Sequence, residues 1–381
     1  MTFPGALARC LNIADLRHQA RRRAHRASFD YLDGGAEDEV TLHRNSDAYA
    51  RLELHYRVLR AAAKPDTSVT LLGERLAVPY ILSPTACQRL FHTEGELASA
   101  RAAAEAGTVF CLSTLASTSI ETIAAATPGP KWFQFYLWRD RGLAREMIQR
   151  AKQAGFKAII LTVDLPTHGN RERDPRNGFT IPPRMGPLQA WHALRSPAWT
   201  LDYLTGAPIR YANLAGNAPA TTLQAFVGHH FAQGFDWSDA EWMLGEWNGP
   251  AIIKGVVRPD DAATAAAAGF RCVMVSNHGG RQLDHSPATI DVAESIIDRV
   301  GHEVEVVVDG GIRRGTDVLK ALALGATAVG IGRAYLYGLA AGGLPGVRRA
   351  LEILQAEVTR DMTLLGAADR SDVTRDLLLR R

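Results

Sequence analysis

The sequence predicts a (β/α)8 barrel, and three observations carry the prediction. Eight short apolar runs of strand length recur after Lys64-Pro65. Each is followed by a turn containing Gly, Ser or Asp and then, in most units, by an Ala-rich helical stretch. No Gly-x-Gly-x-x-Gly follows the first run, the feature a dinucleotide-binding open sheet would carry there. An open doubly wound sheet is the alternative architecture, but eight alternating units fit closure better.

The expected strands are Val78–Ser83, Val109–Ser113, Lys131–Tyr136, Ala158–Val163, Ala251–Gly255, Cys272–Ser276, Val304–Val308 and Ala328–Ile331. Their near-continuous apolar character marks parallel strands covered on both faces. Helices are expected over Gly95–Ala106, Leu143–Ala154, Pro259–Ala268 and Thr316–Leu324. Gly107, Gly155, Gly269 and Gly325 follow them closely, where a left-handed residue ends a helix. Before the barrel, residues 12–64 read as an N-terminal helical segment rich in Arg and Glu. Residues 172–247 form a long insertion between the fourth and fifth strands, and the whole chain reads as a single domain. The insertion holds five of the seven tryptophans, Trp191, Trp199, Trp237, Trp242 and Trp247. Insertions of that length act as lids or interfaces unless disordered, and tryptophan argues against disorder throughout. His229-His230 has no Cys or carboxylate at ligand spacing and reads as solvated surface.

Composition excludes several classes. The formal charge is +3 and basic residues are scattered, so a nucleic-acid partner is not expected. The cluster Arg21-Arg22-Arg23-Ala24-His25-Arg26 reads as a solvated helix face. Cys10, Cys87, Cys111 and Cys272 show no metal-ligand spacing, and Cys111 and Cys272 fall in strands, as reduced core thiols do. No metal site is expected. With no apolar signal region and no run of 18 uncharged apolar residues, a cytoplasmic chain that does not span a membrane is expected.

The chemistry gathers at the expected strand ends. The sixth strand runs into Ser276-Asn277-His278-Gly279-Gly280-Arg281-Gln282-Leu283-Asp284. Histidine has the side-chain pKa nearest neutrality and suits proton abstraction, while Arg281 offers a planar fork for a carboxylate. A base beside such a clamp suggests chemistry at the carbon next to a carboxylate. The other ends supply Pro84-Thr85-Ala86, Ser113-Thr114, Gln134-Phe135-Tyr136, Thr162-Val163-Asp164, Lys254-Gly255, Asp309-Gly310-Gly311-Ile312-Arg313 and Gly330-Ile331-Gly332-Arg333. The last two loops pair glycine with arginine, a phosphate seat after strands seven and eight. Ser113, Gln134 and Thr162 could hydrogen-bond a polar heterocycle. Lys254 could place positive charge beside it, as a reduced, anionic flavin would need. Core packing does not explain Gln134, Asp164 and Lys254 together, because buried polar groups need partners.

With these motifs in order, the chain resembles the FMN-dependent 2-hydroxy-acid dehydrogenase/oxidase family, which includes L-lactate dehydrogenases, glycolate oxidases and mandelate dehydrogenases. The resemblance runs from about residue 12 to 370. Besides the strand-end motifs, it is carried by Phe29-Asp30-Tyr31-Leu32-Asp33-Gly34-Gly35-Ala36-Glu37-Asp38. It implies that His278 is the base and that Asp164 orients it and stabilises its imidazolium form. Arg281 would bind the substrate carboxylate with help from Tyr31, Tyr136 would hydrogen-bond near the reacting hydroxyl, and Arg171 would be a second cation. Pro84, Thr85, Ala86, Ser113, Gln134, Thr162, Lys254, Ser276, Asp309, Gly311, Arg313, Gly332 and Arg333 would seat FMN.

The implied reaction takes an (S)-2-hydroxy acid to the 2-oxo acid while reducing FMN. His278 would remove either the hydroxyl proton, as hydride leaves, or the α-proton, and both routes stay open. Ala86 and Leu115 sit where the family lines the pocket against the substrate side chain. Glycolate oxidases tend to carry Trp in place of Leu115, several lactate dehydrogenases carry Leu, and mandelate enzymes tend to open the pocket with glycine. L-lactate is therefore the expected substrate, a preference worth about 1–3 kcal/mol per methyl group. Cys87-Gln88-Arg89-Leu90-Phe91-His92 departs from this by bringing bulk to the mouth, as in some aryl hydroxy-acid oxidases. The expected electron acceptor is a quinone or cytochrome, with oxygen the alternative. Trp191, Trp199, Leu201, Tyr203 and Leu204 near Arg184, Arg195 and Arg210 suit a membrane interface, or else they pack on the barrel or on another subunit. The resemblance also suggests a homotetramer. Two other readings remain: a related phosphate-binding barrel, such as an FMN-dependent isomerase or nucleotide dehydrogenase, and a flavin-binding barrel without turnover.

Overall fold

The computed structural model describes residues 4–60, 64–184, 186–214, 222–231 and 234–380. Eight parallel strands close into a barrel: β1 (Tyr80–Thr85), β2 (Phe110–Ser113), β3 (Lys131–Phe135), β4 (Ala158–Thr162), β5 (Ala251–Val256), β6 (Cys272–Val275), β7 (Glu305–Asp309) and β8 (Ala328–Ile331). Each expected strand is present within two residues of its expected ends. The four expected helices form, and their trailing glycines take positive φ: 67° at Gly107, 78° at Gly155, 104° at Gly269 and 113° at Gly325.

The remaining crossover helices are Ile120–Ala126, Trp237–Trp247, Thr289–Val300 and the long Arg333–Leu365, which kinks at Gly342-Gly343. Trp237–Trp247 lies inside the stretch expected as insertion yet is the regular crossover between β4 and β5. Trp247 is buried there, and its indole donates to Pro250 O at 2.8 Å.

Two apolar layers hold the barrel. The outer one joins strands to helices. The inner one fills the barrel with Ile81, Val109, Cys111, Trp132, Ile160, Ile252, Cys272, Met274 and Val307. A hairpin of Val69–Leu71 and Glu74–Leu76 seals its N-terminal end with Val69, Leu71 and Leu76. Each aliphatic side chain so buried contributes about 1.5–3 kcal/mol. All four cysteines are buried and free. Among the described residues no helix is long and apolar enough to cross a membrane.

The basic cluster near the N-terminus divides. Arg21, Arg22 and Arg26 are exposed as expected. Arg23 instead pairs with Asp202 of the insertion and donates to Ala340 O. His25 is buried, caps the helix Arg26–Asp33 through Nδ1, and its ring lies 4.7 Å from that of Trp199. The solvated-face expectation fails for these two because helix Pro197–Thr205 covers them.

The aromatic cluster, for which a membrane interface and packing on the protein were both open, divides between the two. Trp199 is buried, donates to Leu90 O at 2.7 Å and stacks on Tyr203. Leu188, Trp191, Leu194, Leu201 and Leu204 remain exposed. His229 is exposed, whereas His230 packs on Phe226 at 4.5 Å between ring centres. Residues 185, 215–221 and 232–233 of the insertion lie outside the described residues.

Candidate active site

A cavity opens at the C-terminal strand ends. Its floor is set by strand register. Ser113 lies beside Gln134, and Thr162 beside Lys254. Ser113 Oγ donates to Gln134 Oε1 at 3.2 Å, and Gln134 Nε2 donates to Thr162 Oγ1 at 3.0 Å. A second chain runs from Lys254 Nζ to Ser276 Oγ (2.9 Å), and from there to Asp309 Oδ1 (3.1 Å). Ser83 Oγ, absent from the sequence expectations, donates to Asp309 Oδ2 at 2.9 Å. The buried cation and carboxylate are thus joined through hydroxyls, and every partner is satisfied.

Pro84, Thr85, Ala86, Ser113, Lys254, Asp309, Gly311, Arg313, Gly332 and Arg333 line the cavity. Gln134, Thr162 and Ser276 stand one layer behind and hold the lining in place. A Cβ on Gly332 would meet nothing within 4 Å, so its bare backbone borders open space suited to phosphate. Arg313 donates only to Ile312 O and makes no ion pair among the described residues, so it keeps donors for an anion. Arg333 differs: Nε, Nη1 and Nη2 donate to Leu32 O, Gly279 O and Gly34 O at 3.1, 2.9 and 2.7 Å. Its guanidinium binds the N-terminal segment to the barrel.

The titratable centre is His278, whose Nδ1 lies 2.8 Å from Asp164 Oδ1. With that hydrogen directed at the carboxylate, Nε2 presents its lone pair. Burial lowers the His278 pKa, Asp164 raises it and Lys254 lowers it again; the net is below the usual value, leaving a neutral base. Burial raises Asp164, but His278 and Lys254 outweigh it, and the carboxylate ionises below its ordinary range. A Cβ on Gly255 would sit 2.6 Å from Asp164 Cβ, so a glycine after Lys254 makes room for the acid. His278, Gly279 and Gly280 take φ of 58°, 66° and 74°, the left-handed turn that the two glycines ease.

Two arginines face the same space. Arg281 Nη1 donates to Tyr31 O and Gly34 O at 2.7 and 2.8 Å, with the guanidinium 4.9 Å from the Tyr31 ring centre. Buried Arg171 donates to Arg281 O at 3.1 Å. Burial and the neighbouring Arg281 push its pKa down to about 10. Neither arginine has an ion pair among the described residues, so the pair is matched to an incoming carboxylate. Burial raises the Tyr136 and Tyr31 phenol pKa values, keeping both as hydrogen-bond donors.

Of the two expected selectivity residues, Ala86 and Leu115, both line the cavity. Phe91, Leu165, His168 and Val227 join them, and the last three were missed. Phe91 belongs to the bulky stretch flagged in the sequence. Val227 comes from helix Leu223–His230 and carries no local signal. Burial, then Arg171 and Arg281, push the His168 pKa down to about 3, so it is neutral.

Residues 20–380 match the model of a family described as FMN-dependent dehydrogenase. The chain belongs to that family. It is 43% identical over 361 residues to a putative L-lactate dehydrogenase of Mycobacterium tuberculosis, covering 94% of this chain and 87% of that protein. It is 38% identical to glycolate oxidase 1 of Oryza sativa subsp. indica, covering 96% and 94% of the two chains. The solved (S)-mandelate dehydrogenase, a monotopic membrane protein, superposes with a TM-score of 0.93 at 34% identity, covering 98% of this chain and 100% of that one. FMN is therefore the cofactor, and the reaction is oxidation of a 2-hydroxy acid. The cavity fits FMN in its donors: a lysine on the floor, hydroxyl and amide chains behind it, and a glycine-bordered arginine at one end.

Proposed function

We propose that the protein oxidises an (S)-2-hydroxy acid, most readily L-lactate, to the 2-oxo acid and passes the electrons to a quinone or cytochrome. The observation that carries this reading is the neutral His278, held by ionised Asp164 and facing Arg281 and Arg171, two cations without a carboxylate partner among the described residues. Arg281 and Arg171 hold the substrate carboxylate, with Tyr31 as a further donor. Tyr136 donates to the reacting hydroxyl. His278 Nε2 takes a proton from the substrate, and Asp164 stabilises the imidazolium that results. The chemistry that FMN supplies when bound is acceptance of two electrons. Lys254 keeps positive charge at the floor where negative charge then develops, and Arg313 with the bare Gly311 and Gly332 backbones receives the phosphate.

Ala86, Leu115, Phe91, Leu165 and Val227 line the cavity with apolar side chains, which suits a short aliphatic side chain. The second reading is an oxygen-using oxidase of glycolate, longer aliphatic or aryl substrates, which the likeness to a glycolate oxidase and, for an aryl substrate, to a mandelate dehydrogenase favours. Anaerobic mixing with L-lactate, glycolate, L-mandelate and a longer aliphatic acid, followed at the flavin band, tests both. Fastest bleaching by L-lactate supports the first, and fastest bleaching by L-mandelate replaces it. Bleaching by none removes both in favour of an isomerase or a barrel without turnover. Readmitting oxygen or a quinone then identifies the acceptor.

A cytoplasmic enzyme held on the inner face of the membrane is part of the proposal. Leu188, Trp191, Leu194, Leu201 and Leu204 are exposed on two successive helices of the insertion. Arg21, Arg22 and Arg195 nearby make no ion pair among the described residues, which suits anionic headgroups. Flotation with anionic and neutral vesicles tests this, and equal absence from both would remove it. Assembly as a homotetramer, expected from the family, is tested by light scattering.

A further inference from the structure

Among the side chains of the run Ser276–Asp284 that this chemistry does not use, Gln282 stands nearest the site's two arginines. Gln282 reaches from the loop after β6 to the loop after β4 and engages both ends of its amide there. Nε2 donates to the main-chain oxygens of Asp164 and Thr167 at 3.0 and 2.9 Å. Oε1 accepts from Arg171 Nη2 at 3.1 Å and, more weakly, from the Gly169 N–H at 3.4 Å. Alongside, Arg171 Nε donates to Arg281 O at 3.1 Å. A Cβ on Gly169 would overlap that same oxygen, so the two backbones touch where only glycine permits it.

Both halves of the site hang on this seam. Asp164 and Arg171 stand on one side, His278 and Arg281 on the other. His278 is held at φ 58°, a left-handed conformation a histidine keeps only where its surroundings impose it. The chain order puts the two loops 114 residues apart, at the Asp164–His278 contact. Side-chain bonds across the seam must therefore fix their spacing.

We propose that Gln282 is a positioning residue: its amide sets the Asp164–His278 contact through the Asp164 carbonyl and the Arg171–Arg281 spacing through Arg171 Nη2. The kinetic readout rests on the function proposed above, whereas a binding readout does not. The charged or titratable groups around His278 are Asp164, Lys254, Arg171 and His168. Of these, Asp164 is the one that Gln282 grips by its own backbone.

The test uses the FMN-loaded full-length protein and its Gln282→Leu variant. One arm follows flavin reduction by the fastest hydroxy acid of the panel from acid to neutral pH. The other titrates oxalate, a dianion offering a carboxylate to Arg171 and Arg281, through the flavin absorbance. With FMN still bound, Gln282→Leu should slow reduction by about 100-fold, the scale of a roughly 1 Å misplacement. It should also weaken oxalate binding and move the acid limb of the profile to lower pH as Asp164 withdraws from His278. Unchanged rate, oxalate affinity and acid limb would overturn the proposal. A loss of rate that only tracks FMN loss, with the profile unmoved, would overturn it too.

Should Gln282→Leu not hold FMN, Gln282→Glu carries the same test. It keeps an acceptor for Arg171 but loses both donated hydrogens, and its added negative charge by itself raises the His278 pKa, so the rate is the readout: slower reduction with FMN bound is expected, and an unchanged rate counts against the proposal. If no hydroxy acid bleaches even the wild-type flavin, the proposed function fails. The oxalate arm then decides Gln282 by itself.

Discussion

Lys254 and Asp309 reach the cavity from strands, bridged from behind by Ser276, whereas Tyr31, Arg171 and Arg281 reach it from a helical segment and two loops. In the first group the ladder fixes each residue, and the polar atoms close on one another. In the second, guanidinium groups bind backbone carbonyls: Arg281 holds Tyr31 O and Gly34 O, and Arg333 holds Leu32 O, Gly34 O and Gly279 O. Each such bond is worth about 1 kcal/mol net, or somewhat more for a charged donor. The floor therefore inherits its rigidity from the barrel, while the mouth depends on a handful of side chains. Substitutions on the floor should disturb the cofactor, and those at the mouth should disturb the substrate.

The largest effect is expected at the junction of the two. His278→Gln should leave FMN bound and lower the rate of flavin reduction by about 10²–10⁴-fold, the range for a general base. Substantial surviving reduction in stopped flow would remove His278 from that role. Asp164→Asn should lower the rate by about 100-fold on the same reasoning, since the imidazolium loses its carboxylate. The sign of its pH effect follows from the cited shifts. His278 must be neutral, so activity falls as pH drops through its lowered pKa, and Asp164 raises that pKa. Removing the carboxylate should move the acid limb to lower pH, and a limb that moves upward contradicts the assignment.

Arg281→Met isolates the mouth. Losing one partner of a desolvated charge contact costs about 3 kcal/mol, or about 100-fold in substrate affinity. FMN affinity should not change, and a parallel loss of FMN would erase the distinction between floor and mouth. Gly280→Ala should act in the same direction but less. A Cβ there, at φ 74°, would lie 2.5 Å from Leu42 N, loosening the N-terminal segment by about 1–3 kcal/mol. About ten-fold weaker substrate binding with FMN retained is the expected titration result. Least affected should be turnover in Leu194→Ser, which removes an exposed leucine and should reduce only vesicle binding.

The two regions also differed in how far they could be read from the chain. Strand-end residues such as Gln134, Thr162, Lys254 and Asp309 declare themselves as polar residues closing apolar runs. Ser83 obeyed the same rule, next to Pro84-Thr85, and was passed over because it lies within the run. Phe91 lay in a flagged stretch. Val227 had no signal, because helix Leu223–His230 comes to the cavity only through the packing of the insertion, with Phe226 against Tyr211 and Trp138. Trp density likewise misled at Trp237–Trp247, where the helix is a standard crossover whose indoles cover the barrel. Trp199 and Tyr203, for which the sequence left a membrane interface and packing on the barrel both open, are folded onto His25 and Leu90.

By itself the sequence determined the barrel, its strand ends and the placing of His278 and Arg281 on one loop after the sixth strand. These depend on local properties: apolar runs, left-handed glycines after helices, and polar residues where strands stop. Only the tertiary structure decided how the N-terminal segment closes the site. Asp284, the last residue of the His278 run, caps the helix Val40–Asp47 by accepting from Val40 N and Thr41 N, the latter 243 residues away. Asn45 and Asn277 exchange amide hydrogen bonds across the same seam at 2.8 Å. Arg333 holds carbonyls of that segment for the same reason. Contacts between such distant positions leave no periodicity or spacing in the chain, since they exist only once closure of the barrel has brought its first and last units side by side.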